Sequence, residues 1–285
     1  MRVVALIGPG GNQVALLHKL RKEADLVGVV LSRNRPKAKP KRRLRLFVNR
    51  VEGRIVGYPF TRAWLEMLGR YEKQFGSLPD VPCVNVTNVN DPETTAFLTK
   101  LTPDLVVVSG TNLVGKKIIA WAKQRRGILN MHTGISPYVK GGPNCTNWCL
   151  ATRQFHLIGS TTMWLDEGID SGAIIATEQA PLTGCESLEE VHWKVMQHGH
   201  DMYVRTLRAI ASGVEVHQIE QRCVVEGRTF YSAEWTARAM ARAYANFRLH
   251  YRRSYFESAE FARATSSLKL FPLATTSHKT AVPTV

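Results

Sequence analysis

Apolar positions along the chain alternate between two periods. Val3–Ile7 and Leu26–Leu31 are short unbroken apolar runs, the pattern of strands buried on both faces of a sheet. Between them, apolar residues at 14, 16, 17 and 20 recur at helical spacing. This strand–helix–strand order predicts a parallel sheet with right-handed crossovers. The series continues with strands at Val84–Val86, Leu105–Val108 and Ile128–His132, and helices at Asp91–Leu101 and Leu113–Lys123. Asp91 and Pro92 suit the N-cap and first position of their helix. Phe60–Phe75 places apolar or aromatic residues at 60, 64, 65, 67, 68, 71 and 75, which predicts an amphipathic helix. Farther on, Trp148–Thr152 reads as helix and Ser160–Leu165 as an alternating strand. Leu188–Ala211 reads as a long helix begun by Ser187 and ended by Gly213.

The fold class expected is α/β: a Rossmann-like, mostly parallel sheet with helices on both faces, plus a small C-terminal hairpin and helical extension. Residues 1–212 form the main domain, with a basic insertion at about 33–80 between core elements. Residues 213–264 form the extension. Within it, 214–235 read as a β-hairpin turning at Glu226-Gly227, and 236–264 as an Ala/Arg/aromatic helix or helix pair. Residues 265–285 have no period and read as a disordered tail.

Composition adds a few exclusions. With 44% hydrophobic and 21% charged residues in 285, the chain is not of the disordered type. It contains no run near the roughly 20 apolar residues of a membrane-spanning helix. The apolar start runs straight into Gly8-Pro9-Gly10-Gly11, so it reads as a first strand rather than a signal peptide, and the expected location is cytoplasmic. Five scattered cysteines fit reduced thiols better than a disulfide framework. The net charge of +15 is concentrated in two segments. Residues 33–54 hold ten Lys and Arg against the single Glu52. Residues 238–253 hold Arg238, Arg242, Arg248, Arg252 and Arg253 with no acid. The first segment suits either a solvated loop or an electrostatic contact with RNA or an anionic membrane surface.

Three constellations at strand ends carry candidate chemistry. Gly8–Gln13 joins a strand to a helix, where free backbone N–H groups attract phosphate. It is not a dinucleotide fingerprint, because Gln13 stands where the third Gly would be, and a plain tight turn is the alternative. Asn130 and His132 share one face of a strand near its C-terminal end, where parallel sheets form ligand crevices. An amide and an imidazole side by side suit a carbonyl oxygen gaining charge. Asp166-Glu167-Gly168-Ile169-Asp170-Ser171-Gly172 is a tight acidic loop that lacks the EF-hand pattern. A carboxylate from it would orient an imidazole. His192 and His200 lie in one helix with no ligand set around them, so no metal site is expected.

Taken together, N-M-H at 130–132, S-P-Y-V-K-G-G at 136–142 and D-E-G-I-D-S-G at 166–172 resemble the folate-dependent formyltransferase family, which includes glycinamide ribonucleotide, methionyl-tRNA and nucleotide-sugar formyltransferases. The resemblance covers about residues 1–32 and 80–210. It implies Asn130, His132 and Asp170 as the catalytic trio, N10-formyltetrahydrofolate as donor, an amine as acceptor, and no metal. It also implies a folate-binding role for Asp166, Gly168 and Ile169. Trp164, beside that loop, is a further candidate to line the pocket, and Gly10, Gly11 and Asn12 are candidates for substrate phosphate. The middle loop departs from the family's Leu-Leu with Ile135-Ser136. The acceptor expected is a small phosphorylated amine, with a nucleotide-linked amino sugar placed ahead of glycinamide ribonucleotide. A methionyl-tRNA enzyme would carry a C-terminal β-barrel, for which the residues after Ile210 read as too few and too helical. A non-catalytic folate- or RNA-binding protein is the reading from another class; it has no need of the three residues together.

Overall fold

A computed structural model describes residues 1–33, 54–142 and 144–273. Five parallel strands lie in the order β3-β2-β1-β4-β5: β1 (Arg2–Ile7), β2 (Asp25–Ser32), β3 (Cys83–Val86), β4 (Leu105–Ser109) and β5 (Ile128–His132). The sheet then continues through β7 (Gly159–Trp164), antiparallel to β5, and β8 (Ile174–Gln179), antiparallel to β7. β6 (Val139–Gly141) lies outside this sheet.

Alternation along the strands sorts their side chains between two layers. Val3, Ala5, Ile7, Leu105, Val107, Leu129 and Met131 join one core cluster. Their partners come from α1 (Gly11–Leu20), α2 (Tyr58–Phe75) and α6 (Leu188–Ala211). Val4, Leu6, Val106, Val108 and Ile128 face the other way, toward α3 (Pro92–Leu101) and α4 (Lys116–Lys123). Both faces are therefore covered, as a parallel sheet requires. The helix-capping signals have local causes. Ser187 and Glu190 form a full capping box at the start of α6. Asp91 stands at the N-cap of α3, but its carboxylate caps the preceding turn, accepting from Thr87 N and Asn88 N.

Three sequence expectations change. First, the segment read as an insertion supplies the helix of the β2-to-β3 crossover: Met67 and Tyr71 of α2 are fully buried in the main core. Its basic part, 34–53, lies outside the described residues. Second, residues 214–235 form no hairpin. Ile219 bridges antiparallel to Ile174, while β9 (Arg228–Phe230) pairs in parallel with β6. Gly227 serves close approach rather than a hairpin turn, since a Cβ there would collide with the Pro137 carbonyl. Third, the start of the tail is docked. Phe271 N donates to Thr177 Oγ1 at 2.8 Å, and Thr177 N donates to Phe271 O at 2.7 Å. It covers the exposed edge of β8 with backbone pairing. Residues 274–285 lie outside the described part.

The C-terminal helices α7 (Ala237–His250), α8 (Arg253–Phe256) and α9 (Ala259–Ser266) follow. α7 packs on α5 (Cys145–Thr152) through Trp148, Cys149, Ala239 and Ala243. Glu186 ties this extension to the main domain. Its carboxylate, only 2% exposed, accepts from Thr183 N, Gly184 N, Lys194 Nζ and Tyr251 OH at 2.6–3.0 Å. Burial alone would raise its pKa, but the donors outweigh burial and lower it to about 2. The carboxyl titrates near 4.5 when unfolded, so its contribution is present above that pH and is lost as pH falls toward 2. Glu186→Gln should lower the urea midpoint of unfolding at pH 7, and the gap from wild type should narrow at pH 3.

Candidate active site

Period-two alternation at the end of β5 turns Met131 into the core and sends Asn130 and His132 to the opposite face. In the β5–β7 ladder, Asn130 stands opposite Met163 and His132 opposite Thr161. Tyr203 of α6 fixes the backbone here. Its buried hydroxyl accepts from Val108 N at 3.0 Å and lies 2.5 Å from Leu129 O, one residue before Asn130.

The chain after β5 doubles back beneath the imidazole. Thr161 Oγ1 accepts from Ser136 N at 2.9 Å and donates to Gly134 O at 2.7 Å. The Ser136–Pro137 bond is cis. Gly134 makes room for the ring, since a Cβ there would lie 2.7 Å from His132 Nε2. The turn delivers β6, and Val139 O lies 3.3 Å from His132 Nε2.

The loop after β7 supplies the partner on the other side of the ring. Asp166 Oδ1 accepts from Gly168 N at 3.0 Å and Ser171 Oγ at 2.6 Å, which folds the loop tightly. Asp170 then projects with φ +47°, in the left-handed region. For a residue other than Gly this costs on the order of 1 kcal/mol. Its Oδ2 lies 3.2 Å from His132 Nδ1 and accepts from Gly141 N at 3.0 Å. The His132 side chain is 8% exposed and that of Asp170 19%. The two ring nitrogens face two acceptors, so the imidazole donates to both only with a proton on each nitrogen. Asn130 is half-buried, and its amide has no hydrogen-bond partner among the described residues. Two donors therefore lie side by side at the C-terminal end of the sheet, one free and one braced by a carboxylate. That arrangement can stabilise negative charge developing on an oxygen.

The structure thus brings Asn130, His132 and Asp170 together. Asp166, Gly168 and Ile169 lie in the same loop, but the Asp166 carboxylate is spent on folding it. Trp164 does not join them: it packs with the Leu129 side of the sheet, on the opposite face. The first loop stands at the C-terminal end of β1, yet Gly11 and Asn12 are buried. α2 covers Gly11, where a Cβ would meet Glu72 Cγ at 2.7 Å, and Asn12 Nδ2 points to Met196 Sδ of α6 at 3.6 Å. Gly10 is half-exposed.

Two contributors had no role assigned from the sequence, although Gly141 lies in the 136–142 motif. Gly141, at φ +93°, gives its N–H to Asp170. Gln221, from the segment read as a hairpin, is 5% exposed. Its Nε2 donates to Asp170 O at 2.7 Å and Gly172 O at 2.8 Å. No local pattern marks Gln221, because its partners lie about fifty residues away. Beside these residues a cleft of about 380 Å³ is lined by Pro137, Lys140, Ser171, Gln221 and Arg222 among others. Cys145 is close to the site, but burial pushes its thiol well above the ordinary range, so it is no nucleophile. Burial lowers His192 to about 4 and His200 to about 3, which makes both neutral packing residues. Among the described residues no group of three or more His, Cys, Asp or Glu could hold a metal ion, and no helix is long and apolar enough to cross a membrane.

The family described as Formyl transferase matches residues 1–207. A methionyl-tRNA formyltransferase of Flavobacterium psychrophilum is 28% identical over 149 residues, 52% of this chain and 46% of that protein. The chain thus spans about half the length of the curated relatives it matches. A solved sugar N-formyltransferase from a Shewanella species superposes with TM-score 0.54 at 14% identity, covering 85% of this chain and 88% of the other. A phosphoribosylglycinamide formyltransferase from Anaplasma phagocytophilum gives TM-score 0.52 at 17% identity, covering 81% and 98%. At these identities the likeness is one of fold.

The Gln221 contacts carry a direct test. Gln221→Ala should speed amide hydrogen exchange in residues 166–172 at least tenfold while leaving the β1–β4 amides as in wild type. Unchanged exchange in the loop would show that Gln221 does not hold it.

Proposed function

The chain belongs to the formyl transferase family, and on that premise we propose that it transfers a formyl group from N10-formyltetrahydrofolate to the amine of a small phosphorylated acceptor, a nucleotide-linked amino sugar. The observation that carries the reading is the convergence of Asn130, His132 and Asp170, with Asp170 Oδ2 3.2 Å from His132 Nδ1.

The acceptor nitrogen attacks the formyl carbon, and the carbonyl oxygen takes the electron pair. Asn130 Nδ2 donates to that oxygen. The His132 Nε2–H, held only by its 3.3 Å contact to Val139 O, turns to it as the second donor. Asp170 accepts from Nδ1–H and fixes the orientation of the ring. Collapse of the tetrahedral intermediate breaks the bond to N10 of the folate. The proton lost by the amine ends on that nitrogen, passed by the Asp170–His132 pair or by water. No bond forms between enzyme and substrate, consistent with the buried, protonated Cys145.

The choice of acceptor rests on the first loop. A phosphate site built on Gly10, Gly11 and Asn12 would favour glycinamide ribonucleotide, but α2 covers Gly11, and Asn12 is turned inward. That favours an amine whose phosphate lies elsewhere. The test is donor consumption, followed by absorbance, with glycinamide ribonucleotide, several nucleotide-linked 4-amino sugars and charged initiator tRNA as acceptors. A nucleotide-linked amino sugar should be consumed. Turnover with glycinamide ribonucleotide alone would overturn the acceptor, and folate binding without turnover of any amine would favour a non-catalytic folate-binding role. With the active acceptor, His132→Ala, Asp170→Ala and Asn130→Ala should each lower kcat by ~10²–10³, with circular dichroism unchanged.

A further inference from the structure

The arginine-rich segment of the extension plays no part in the site described above. Arg238 and Arg242 stand one turn apart in the first half of α7. Neither has an ion-pair partner among the described residues. Like charges at this spacing repel. They also sit near the positive end of the helix dipole, and the first turn of α7 contains no acid. Arg228 of β9 joins them. Its guanidinium lies 4.4 Å over the Phe230 ring, and Phe230 stacks on Trp148. The nearest acid is Glu234, 3.8 Å from Arg228, and the other oxygen of that carboxylate accepts from Tyr231 N at 2.8 Å. The three arginines, Trp148, Glu234 and Thr236 line a cleft of about 260 Å³. Three cations thus share one concave space with a single, already engaged carboxylate.

The cleft is tied to the catalytic trio through one pair of strands. Arg228 stands opposite Val139 in the β6–β9 ladder. Val139 O faces the His132 ring, and Gly141 N holds Asp170.

We propose that Arg228, Arg238 and Arg242 bind the phosphate or diphosphate group of the acceptor, so that the anionic end of the substrate is held by the extension while its amine reaches His132. The identity of the ligand as the acceptor rests on the formyl-transfer reading; the anion site itself does not. Guanidinium groups match phosphate oxygens in planar, paired hydrogen bonds. A small ligand fits better than a nucleic-acid backbone because the cations converge on one cleft rather than forming a stripe. Farther along, Arg253 is drawn away into an ion pair with Glu257 at 2.7 Å.

The probe is inorganic pyrophosphate, titrated calorimetrically into the full chain, with a single-stranded RNA oligonucleotide as a second arm. One pyrophosphate should bind per chain, and the double variant Arg238→Ala/Arg242→Ala should bind it at least tenfold more weakly. Both side chains are exposed and Ala favours helix, so the melting temperature of that variant should match wild type. With the active acceptor, the same variant should show a KM raised at least tenfold. Equal pyrophosphate affinity in variant and wild type, or no binding to either, overturns the site. RNA binding that the Arg238→Ala/Arg242→Ala variant weakens and that pyrophosphate fails to displace overturns the small-ligand assignment. Pyrophosphate binding at the cleft without formyl transfer to any amine would remove the acceptor as its ligand and leave the anion site standing.

Discussion

Asp170 Oδ2 lies 3.2 Å from His132 Nδ1 and 3.0 Å from Gly141 N, so one oxygen joins the end of β5, the β6 strand and the loop after β7. These segments are distant in sequence, and each alone is an irregular stretch of chain. The carboxylate gives the imidazole its orientation and leaves Nε2 with a long contact to a carbonyl. It also holds β6 in place, and β6 in turn pairs with β9 of the extension. The geometry of the proposed chemistry and one of the contacts that attach the C-terminal region thus meet at the same atom.

Holding that atom in place requires support from both sides. Asp170 adopts a left-handed backbone, which Asp tolerates better than most residues but still at some cost relative to Gly. Gln221 offsets this by gripping the carbonyls of Asp170 and Gly172. On the other side, the central β4–β5 strand pair, fixed by the Tyr203 hydroxyl, holds Asn130 and His132 on one face. A rigid sheet carries two of the three groups and a strained loop carries the third. This division suits a site that must keep donors aimed at a developing charge.

Local patterns made much of this legible. The buried runs at 3–7, 26–31, 105–108 and 128–132 gave the parallel core, because strands buried on both faces are apolar throughout. Asn130 and His132 stood out as polar residues at the end of such a run, and Asp170 as part of a loop rich in Gly and Asp. What escaped depends on distant partners. The Gly227 signal for a turn was in fact a close approach to Pro137. Arg228–Phe230 looked like half a hairpin, while its true partner lies some ninety residues earlier. Trp164 adjoins the acidic loop in sequence but faces away from it, because strand alternation overrides sequence proximity. The covering of Gly11 by α2 is likewise a matter of packing that no local motif announces.

The central claim is that Asn130 and the Asp170-braced His132 receive the oxygen of the transferred formyl group. A crystal structure of the chain with a non-transferable analogue of N10-formyltetrahydrofolate tests it most directly. The account predicts the analogue's formyl oxygen at about 3 Å from both Asn130 Nδ2 and a ring nitrogen of His132, a normal hydrogen-bond length, with Asp170 still on Nδ1. An analogue bound with its formyl group away from these side chains, or with Asp170 detached from the ring, would contradict it.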